Sequence, residues 1–237
     1  MTSPAVVREE NRLVAVLLEL RHSVRILGGS LLAGTFGVYF LTPAIMHLLQ
    51  RHLDQRLAFF TVAGPFLAHV KLAFAVTLFV LMPAIVYYFW RALAKPFGLS
   101  AASLAWFVLG TCLLFYGGAA FCYFITLPFG VKFLLGYQSV ELQPLISVNK
   151  FVVFVAVFIL AFGFIFELPI FMVFSAKVGV LTRGHFERNR RYALLVISIV
   201  AALLTPTPDV VNMMLMGAPL YMLYELGIII LKALGIR

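Results

Sequence analysis

Phe151 to Ala176 reads FVVFVAVFILAFGFIFELPIFMVFSA, an apolar run whose only ionisable side chain is Glu167. As a helix rising about 1.5 Å per residue, this run is about 39 Å long, whereas the hydrocarbon core of a bilayer is roughly 30 Å thick. We therefore predict a transmembrane helix that tilts or bends, and Pro169 offers a place for the bend.

Five further apolar runs flank this one, and polar or proline-containing segments separate them. The third is expected to end at Pro128, and the fifth, about 20 Å long, is too short to cross an unperturbed bilayer. The pattern predicts an all-α polytopic membrane protein, one domain over residues 1–237 with six transmembrane helices, the last two of them short. In chain order, the six predicted spans are 26–41, 70–90, 104–127, 151–176, 192–204 and 210–231.

The composition supports a membrane protein. Of the 237 residues 63% are hydrophobic and 11% are charged, and the mean hydropathy is +1.06. A soluble domain of this size could not bury so much apolar surface. The net charge of +9 comes from basic clusters between apolar runs, which is typical of membrane topology rather than of nucleic-acid binding. Cys112 and Cys122 lie inside one apolar run and are expected to be small packing residues.

The basic residues also predict an orientation. With the N-terminus in the cytoplasm, both termini are cytoplasmic and 13 of the 18 lysines and arginines lie on that side. This is a clear positive-inside bias. The cytoplasmic set is Arg8, Arg12, Arg21, Arg25, Arg91, Lys95, Lys177, Arg183, Arg188, Arg190, Arg191, Lys232 and Arg237, and the exterior set is Arg51, Arg56, Lys71, Lys132 and Lys150.

Small residues in two of the spans indicate close helix packing. Gly29, Ala33 and Gly37 recur at four-residue spacing in the first span, and a Gly117–Ala120 patch lies in the third. Small side chains let helix backbones approach each other in lipid. We therefore expect a neighbouring helix at both places.

Glu167 is the polar residue that most needs an explanation, because an ionisable group inside the bilayer costs at least about 2.5 kcal/mol. It lies about ten residues from the cytoplasmic end of its span and two residues before Pro169. One interpretation is a polar site that faces an internal groove. The other is a protonated carboxyl that bonds to a neighbouring helix.

Other charged residues have ordinary structural explanations, and some of them also allow a functional one. Glu225 is either an interfacial carboxylate near Lys232 or a polar site in the last span, and Asp209 can be explained as a helix N-cap. Glu19 and Arg21 lie in an amphipathic stretch before the first span. That stretch is either an ordinary interfacial helix or a docking site on the cytoplasmic face.

Enzyme signatures are missing from the sequence. The five histidines are dispersed, and no HExxH, GxSxG or phosphate-binding loop occurs. We expect no catalysis, no cofactor and no metal site, so that any work depends on partners or on the proton-motive force. The alternative function is a proton-coupled secondary transporter that uses Glu167, and an intramembrane enzyme is a third, weaker alternative.

Short motifs along most of the chain, in this order and with six spans, resemble the TatC family, the multispanning subunit of the twin-arginine protein translocase. They are Leu18-Glu19-Leu20-Arg21, Pro65-Phe66, Phe115-Tyr116-Gly117, Ala161-Phe162-Gly163, Phe166-Glu167-Leu168-Pro169, Arg190-Arg191-Tyr192, Leu204-Thr205-Pro206, Pro208-Asp209, Ala218-Pro219 and Tyr224-Glu225.

The resemblance implies a cupped six-helix bundle in the bacterial inner membrane that binds twin-arginine signal peptides of folded cargo. It implies single-span partners of the TatA/TatB type and export driven by the proton-motive force, and it leaves homo-oligomer formation open. Carried over by position, the signal-peptide site contains Glu19, Leu20 and Arg21. The intramembrane polar site contains Glu167 and Pro169. The partner contact contains Thr205, Pro206, Asp209, Asn212 and Met213.

The chain departs from the family in its first cytoplasmic loop. The family usually carries a glutamate there, whereas residues 98–103 read GLSAAS and contain no carboxylate. Either Glu9, Glu10 or Glu187 takes its place, or the chain is a divergent paralogue with altered cargo recognition.

Overall fold

The computed structural model describes residues 23–53, 57–58, 60–94, 96–135, 146–204 and 210–235. In this part the chain is almost entirely helical. The helices are α1 (Ser23–Tyr39), α2 (Thr42–Leu53), α3 (Gly64–Ala94), α4 (Ala101–Phe121), a π-helical segment (Cys122–Thr126), α5 (Leu127–Leu135), α6 (Val148–Ile165), α7 (Leu168–Val178), α8 (Arg183–Arg188), α9 (Arg190–Leu204) and α10 (Val210–Ala233).

The predicted all-α class is confirmed, and each of the six apolar runs is helical, the fourth as the two helices α6 and α7. Four helical stretches within the described residues are long and apolar enough to cross a bilayer, and α1 with α2, bent by 70°, makes a fifth. The remaining run forms α9, which has 15 residues and is therefore about 22 Å long. As expected, it is shorter than the roughly 30 Å hydrocarbon core. The expectation that the last helix is also short is wrong, because α10 has 24 residues and is about 36 Å long.

The expected end of the third span at Pro128 is wrong. The helix continues through this proline to Leu135. Proline has no N–H and its ring clashes with the carbonyl four residues earlier. The chain accommodates it by widening into the π-helical segment, in which the Leu127 N–H bonds to the Cys122 carbonyl five residues back.

Two short strands that sequence patterns did not predict join two interhelical segments. Strand β1 (Leu57–Ala58) pairs in parallel with β2 (Ile146–Ser147). The first lies between α2 and α3, and the second lies between α5 and α6. Because backbone hydrogen bonds require adjacency, both segments lie on the same side of the membrane.

The contacts divide the chain into two compact units, whereas the single domain over residues 1–237 remains a prediction. The first unit consists of Met1–Met46 and Phe66–Cys112, and the second of His47–Pro65 and Leu113–Arg237.

In the first unit, α1 packs on α3 through a glycine other than the ones expected. A Cβ added at Gly34 would lie 2.5 Å from Cγ2 of Thr77, so the two backbones are in close approach there. A Cβ added at Gly29 or Gly37 would meet no described atom within 4 Å. Among the described residues, no helix packs on the predicted stripe through these glycines and Ala33.

In the second unit, the predicted close packing in the third span is confirmed at Gly118. A Cβ there would lie 2.6 Å from the Phe166 ring and 2.7 Å from the Phe162 carbonyl oxygen, whereas one at Gly117 would meet no described atom within 4 Å. Gly163 makes the reciprocal contact, because its missing side chain leaves room for the buried ring of Phe115. These glycines place α4 directly against the end of α6.

Candidate functional site

Glu167 lies at a break between α6 and α7. Helix α6 ends at Ile165, and Pro169 occupies the first turn of α7. The Glu167 N–H bonds to the Phe164 carbonyl three residues back, at 3.1 Å, so the last turn tightens before the proline. The expected bend near Pro169 is thus a helix break, and it places the carboxyl inside an apolar span.

The carboxyl lines a groove of about 340 Å³ between four helices, α6, α7, α9 and α10. Its Oε1 oxygen is buried, and the rest of the lining is apolar. A carboxyl in such surroundings can exchange hydrogen bonds with a polar group that enters the groove. The other lining residues are Phe164, Ile165, Leu168, Phe171, Val196, Ile197, Val200 and Leu220.

Helix α10, which contributes Leu220 to the groove, approaches α7 closely. A Cβ added at Gly227 would lie 2.6 Å from the Met172 sulfur and 3.4 Å from Cα of Pro169. Pro169 is almost completely buried, and the glycine opposite lets the helices meet. Of the predicted pair, Glu167 therefore lines the groove, whereas Pro169 packs against α10 at Gly227.

A second polar cluster joins α9 and α10. The Arg190 guanidinium makes a two-pronged contact with the Glu225 carboxylate, Nε to Oε1 at 2.9 Å and Nη2 to Oε2 at 3.0 Å. The Tyr221 hydroxyl donates to Oε1 at 3.0 Å. Glu225 remains open to both interpretations given above, an interfacial carboxylate near Lys232 or a polar site, and its ion-pair partner Arg190 comes from 35 residues earlier in the chain.

The same end of α10 also holds α8. The Tyr224 hydroxyl donates to the Phe186 carbonyl at 2.8 Å, and both side chains are buried. Thr182 caps α8 by accepting from the His185 N–H. Sequence patterns gave no signal for these tertiary contacts beyond the presence of Glu225 near the end of the last span.

The loop between α3 and α4 is a tight turn without a carboxylate. Gly98 has a φ of +62°, a value that favours glycine, and the Leu99 N–H bonds to the Ala94 carbonyl at 2.9 Å. The Ser100 hydroxyl accepts from the Ser103 N–H and so caps α4. Beside the loop, the Trp90 indole donates to Thr111 at 2.9 Å.

Of the other predicted site residues, the structure describes the positions of two. Asn212 and Met213 lie in the first turn of α10. Among the described residues, no group of three or more histidine, cysteine, aspartate or glutamate side chains could hold a metal ion. The remaining predicted residues lie outside the described part of the chain, namely Glu19, Leu20, Arg21, Thr205, Pro206 and Asp209.

Comparison with known proteins gives a consistent result. A family model described as Sec-independent protein translocase protein (TatC) matches residues 15–219. Among similar proteins of that name, the one from Koribacter versatilis is 37% identical over 189 residues, which are 78% of this chain and 69% of the relative. The one from Aquifex aeolicus is 34% identical over 225 residues, which are 91% and 92% of the two chains.

A solved structure is similar over nearly the whole chain. The crystal structure of the twin arginine translocase receptor TatC in DDM matches with a TM-score of 0.78 and 30% sequence identity. The match covers 91% of this chain and 98% of that one.

Proposed function

The chain belongs to the TatC family of Sec-independent protein translocase proteins, and from this membership we propose that it is the receptor subunit that binds twin-arginine signal peptides of folded cargo. It acts without catalysis and assembles with single-span TatA/TatB-type partners. Export then draws on the proton-motive force.

The similarity to the solved twin arginine translocase receptor is the observation that carries this proposal. It extends over 91% of the chain and 98% of the solved chain at 30% identity. A bundle of this size is too narrow for a folded cargo protein to pass through. A receptor that recruits further subunits fits that limit.

The proposed location is the bacterial inner membrane, with both termini in the cytoplasm. The bias of 13 among 18 basic residues supports this orientation. The pairing of β1 with β2 is consistent with it, because the orientation assigns both strands to exterior segments. The loop at Gly98 and the helix α8 are then cytoplasmic.

The signal-peptide site is proposed at Glu19, Leu20 and Arg21, because a carboxylate there can bind a guanidinium through paired, charge-assisted hydrogen bonds. A matched pair of peptides tests this. A photocrosslinking side chain placed at residue 20 of this chain is expected to capture a twin-arginine peptide more than a twin-lysine peptide. If the crosslinker captures no twin-arginine peptide and the Glu19→Ala variant still exports folded cargo normally, the receptor function is contradicted.

The partner contact is proposed at the turn before α10 and in its first turn. Photocrosslinkers at Met213 are expected to capture a co-expressed single-span partner, whereas the same group on the exposed Met222, nine residues further along α10, serves as the control. Equal capture at both positions would count against the assignment. The proposed contact contains Thr205, Pro206, Asp209, Asn212 and Met213.

Glu167 is proposed as the polar site of the groove. Glu167→Gln keeps hydrogen-bonding capacity, whereas Glu167→Leu removes it at similar size. We expect Leu to stop export and Gln to retain part of it, with both proteins present in the membrane. Equal export by both variants would exclude this role. The alternative transporter function predicts instead that wild-type protein in liposomes takes up a small solute with protons.

A further inference from the structure

The bend between α1 and α2 has a cause in the sequence. Pro43 has no N–H, so it cannot bond to the Tyr39 carbonyl four residues earlier as a continuing helix would require. Helix α1 therefore ends at Tyr39, and α2 leaves at an angle of 70° from Thr42 onward. The Tyr39 carbonyl has to find another donor, because an unpaired backbone carbonyl in apolar surroundings costs free energy.

Two hydrogen bonds in series supply that donor. The Thr42 hydroxyl donates to the Tyr39 carbonyl at 2.6 Å, and Nδ1 of His69 in α3 lies 2.9 Å from the same hydroxyl. A hydroxyl carries one proton and a carbonyl only accepts, so the His69 Nδ1–H donates to Thr42. Thr42 is buried, with 1% of its surface exposed. We call this arrangement, from His69 through Thr42 to Tyr39, the corner relay.

The corner relay continues the contact between α1 and α3. Gly34 meets Thr77 at close range. Thr42 follows Gly34 by eight residues, and His69 precedes Thr77 by eight. Equal steps in opposite directions are what two antiparallel helices require, and residues eight apart share one stripe of a helix. His69 therefore belongs to the face of α3 that packs on α1, and its contact with Thr42 is in register with the glycine contact.

The relay also lies where the chain leaves the first unit and returns to it. Residues 47–65 belong to the second unit, in which β1 pairs with β2. Thr42 precedes this segment by five residues and His69 follows it by four, and both belong to the first unit. We propose that His69 is a positioning residue, a latch that acts through Thr42 to fix the direction in which α2 leaves α1.

The other local features do not fix this direction. Pro43 removes one backbone hydrogen bond and so ends α1, but a missing bond does not set the angle of the next helix. The rings of Tyr39 and Phe66 lie edge to face at 6.2 Å and join α1 to α3, which leaves α2 free. The described part of the first unit contains no aspartate or glutamate, so no carboxylate there competes with Thr42 for His69.

Substitutions can separate the hydrogen bond from the packing of the ring. His69→Phe keeps a ring and removes the donor, whereas His69→Asn removes the ring and keeps a donor at the position of Nδ1. Thr42→Val removes the hydroxyl, and Thr42→Ser keeps it. We expect His69→Phe and Thr42→Val to release α2, and His69→Asn and Thr42→Ser to hold it. The double variant of His69→Phe and Thr42→Val should release α2 no further than Thr42→Val alone, because both substitutions interrupt the same relay.

The measurement is the distance between spin labels on α1 and α2, obtained by pulsed electron paramagnetic resonance on the full chain in detergent micelles. Labels at the exposed Ile26 and Leu48 report the bend, and Cys112 and Cys122 are replaced by alanine in all samples. In the releasing variants, the share of molecules outside the main distance peak is expected to rise about fivefold, the change that the net strength of one hydrogen bond gives. His47→Phe is the matched control, since His47 is an exposed histidine of α2 outside the relay.

Three results would overturn the latch. The first is a distance distribution in His69→Phe as narrow as that of the wild-type protein. The second is a distribution in His69→Asn as broad as in His69→Phe, since ring packing and not the bond would then fix the bend. The third is equal broadening in His47→Phe.

Melting curves verify that folded proteins are compared. If His69→Phe does not fold, Thr42→Val against Thr42→Ser makes the same test from the other partner of the bond, and equal distributions in these two would overturn the latch. The experiment uses no peptide and no export assay, so its outcome is independent of the proposed receptor function.

Discussion

Gly118 packs α4 against the end of α6, where it contacts Phe166, the residue before Glu167. Replacing Gly118 by alanine tests this packing directly. The new Cβ would lie 2.7 Å from the Phe162 carbonyl oxygen and 2.6 Å from the Phe166 ring. One obstacle is backbone, which cannot rotate away, so the helices must separate by several tenths of an ångström. Overpacking of this kind typically costs about 1 to 3 kcal/mol.

Gly117→Ala provides the matched control, because its Cβ would meet no described atom within 4 Å. Both substitutions gain the same helix propensity, up to about 1 kcal/mol, and this gain cancels when they are compared. The remaining difference is the overpacking cost, about 2 kcal/mol at mid-range. In a chain of this length that corresponds to about 4 to 8 °C in melting temperature.

The assay is thermal melting of purified protein in one detergent at one scan rate, since membrane-protein unfolding is commonly irreversible. We expect Gly118→Ala to melt several degrees below Gly117→Ala. It should also lower export more, because the displaced Phe166 adjoins Glu167. Equal melting temperatures would refute the close approach of α4 and α6.

Four further substitutions test three individual contacts. Trp90→Phe and Thr111→Val each remove the same buried hydrogen bond, and each should lower the free energy of unfolding by about 1 kcal/mol. The double variant loses only this one bond, so its melting temperature should fall no further than the loss of one bond and the packing change explain. Tyr224→Phe should speed hydrogen exchange in α8, as measured by mass spectrometry, with little change in α6. Gly227→Ala should destabilise less than Gly118→Ala, because its main obstacle is the flexible side chain of Met172, and melting temperatures in the same detergent compare the two.

The sequence predicted the helices well and their ends less well. Long apolar runs can satisfy backbone hydrogen bonds in lipid only as helices, so composition and run length determined the fold class. The ends depend on finer detail. Pro128 was expected to stop a helix, and the π-helical segment lets the helix continue to Leu135.

The candidate site was predictable only where one residue was conspicuous by itself. Glu167 stands out as a carboxyl in an apolar run, and a proline two residues later indicates the break. Its groove could not be predicted, because Val196 and Leu220 reach it from helices far along the chain. Likewise, the sequence places Glu225 near Lys232, and only the packing of α9 on α10 brings Arg190 to it.

The sequence by itself determined that this chain spans a membrane, where its six apolar runs form helices, and that the run of α9 is too short to cross a bilayer. The tertiary structure decided which faces meet. Lipid and a neighbouring helix are both apolar, so hydropathy cannot distinguish a side chain that faces one from a side chain that faces the other. That is why Gly34 rather than Gly29 or Gly37 marks the contact of α1 with α3.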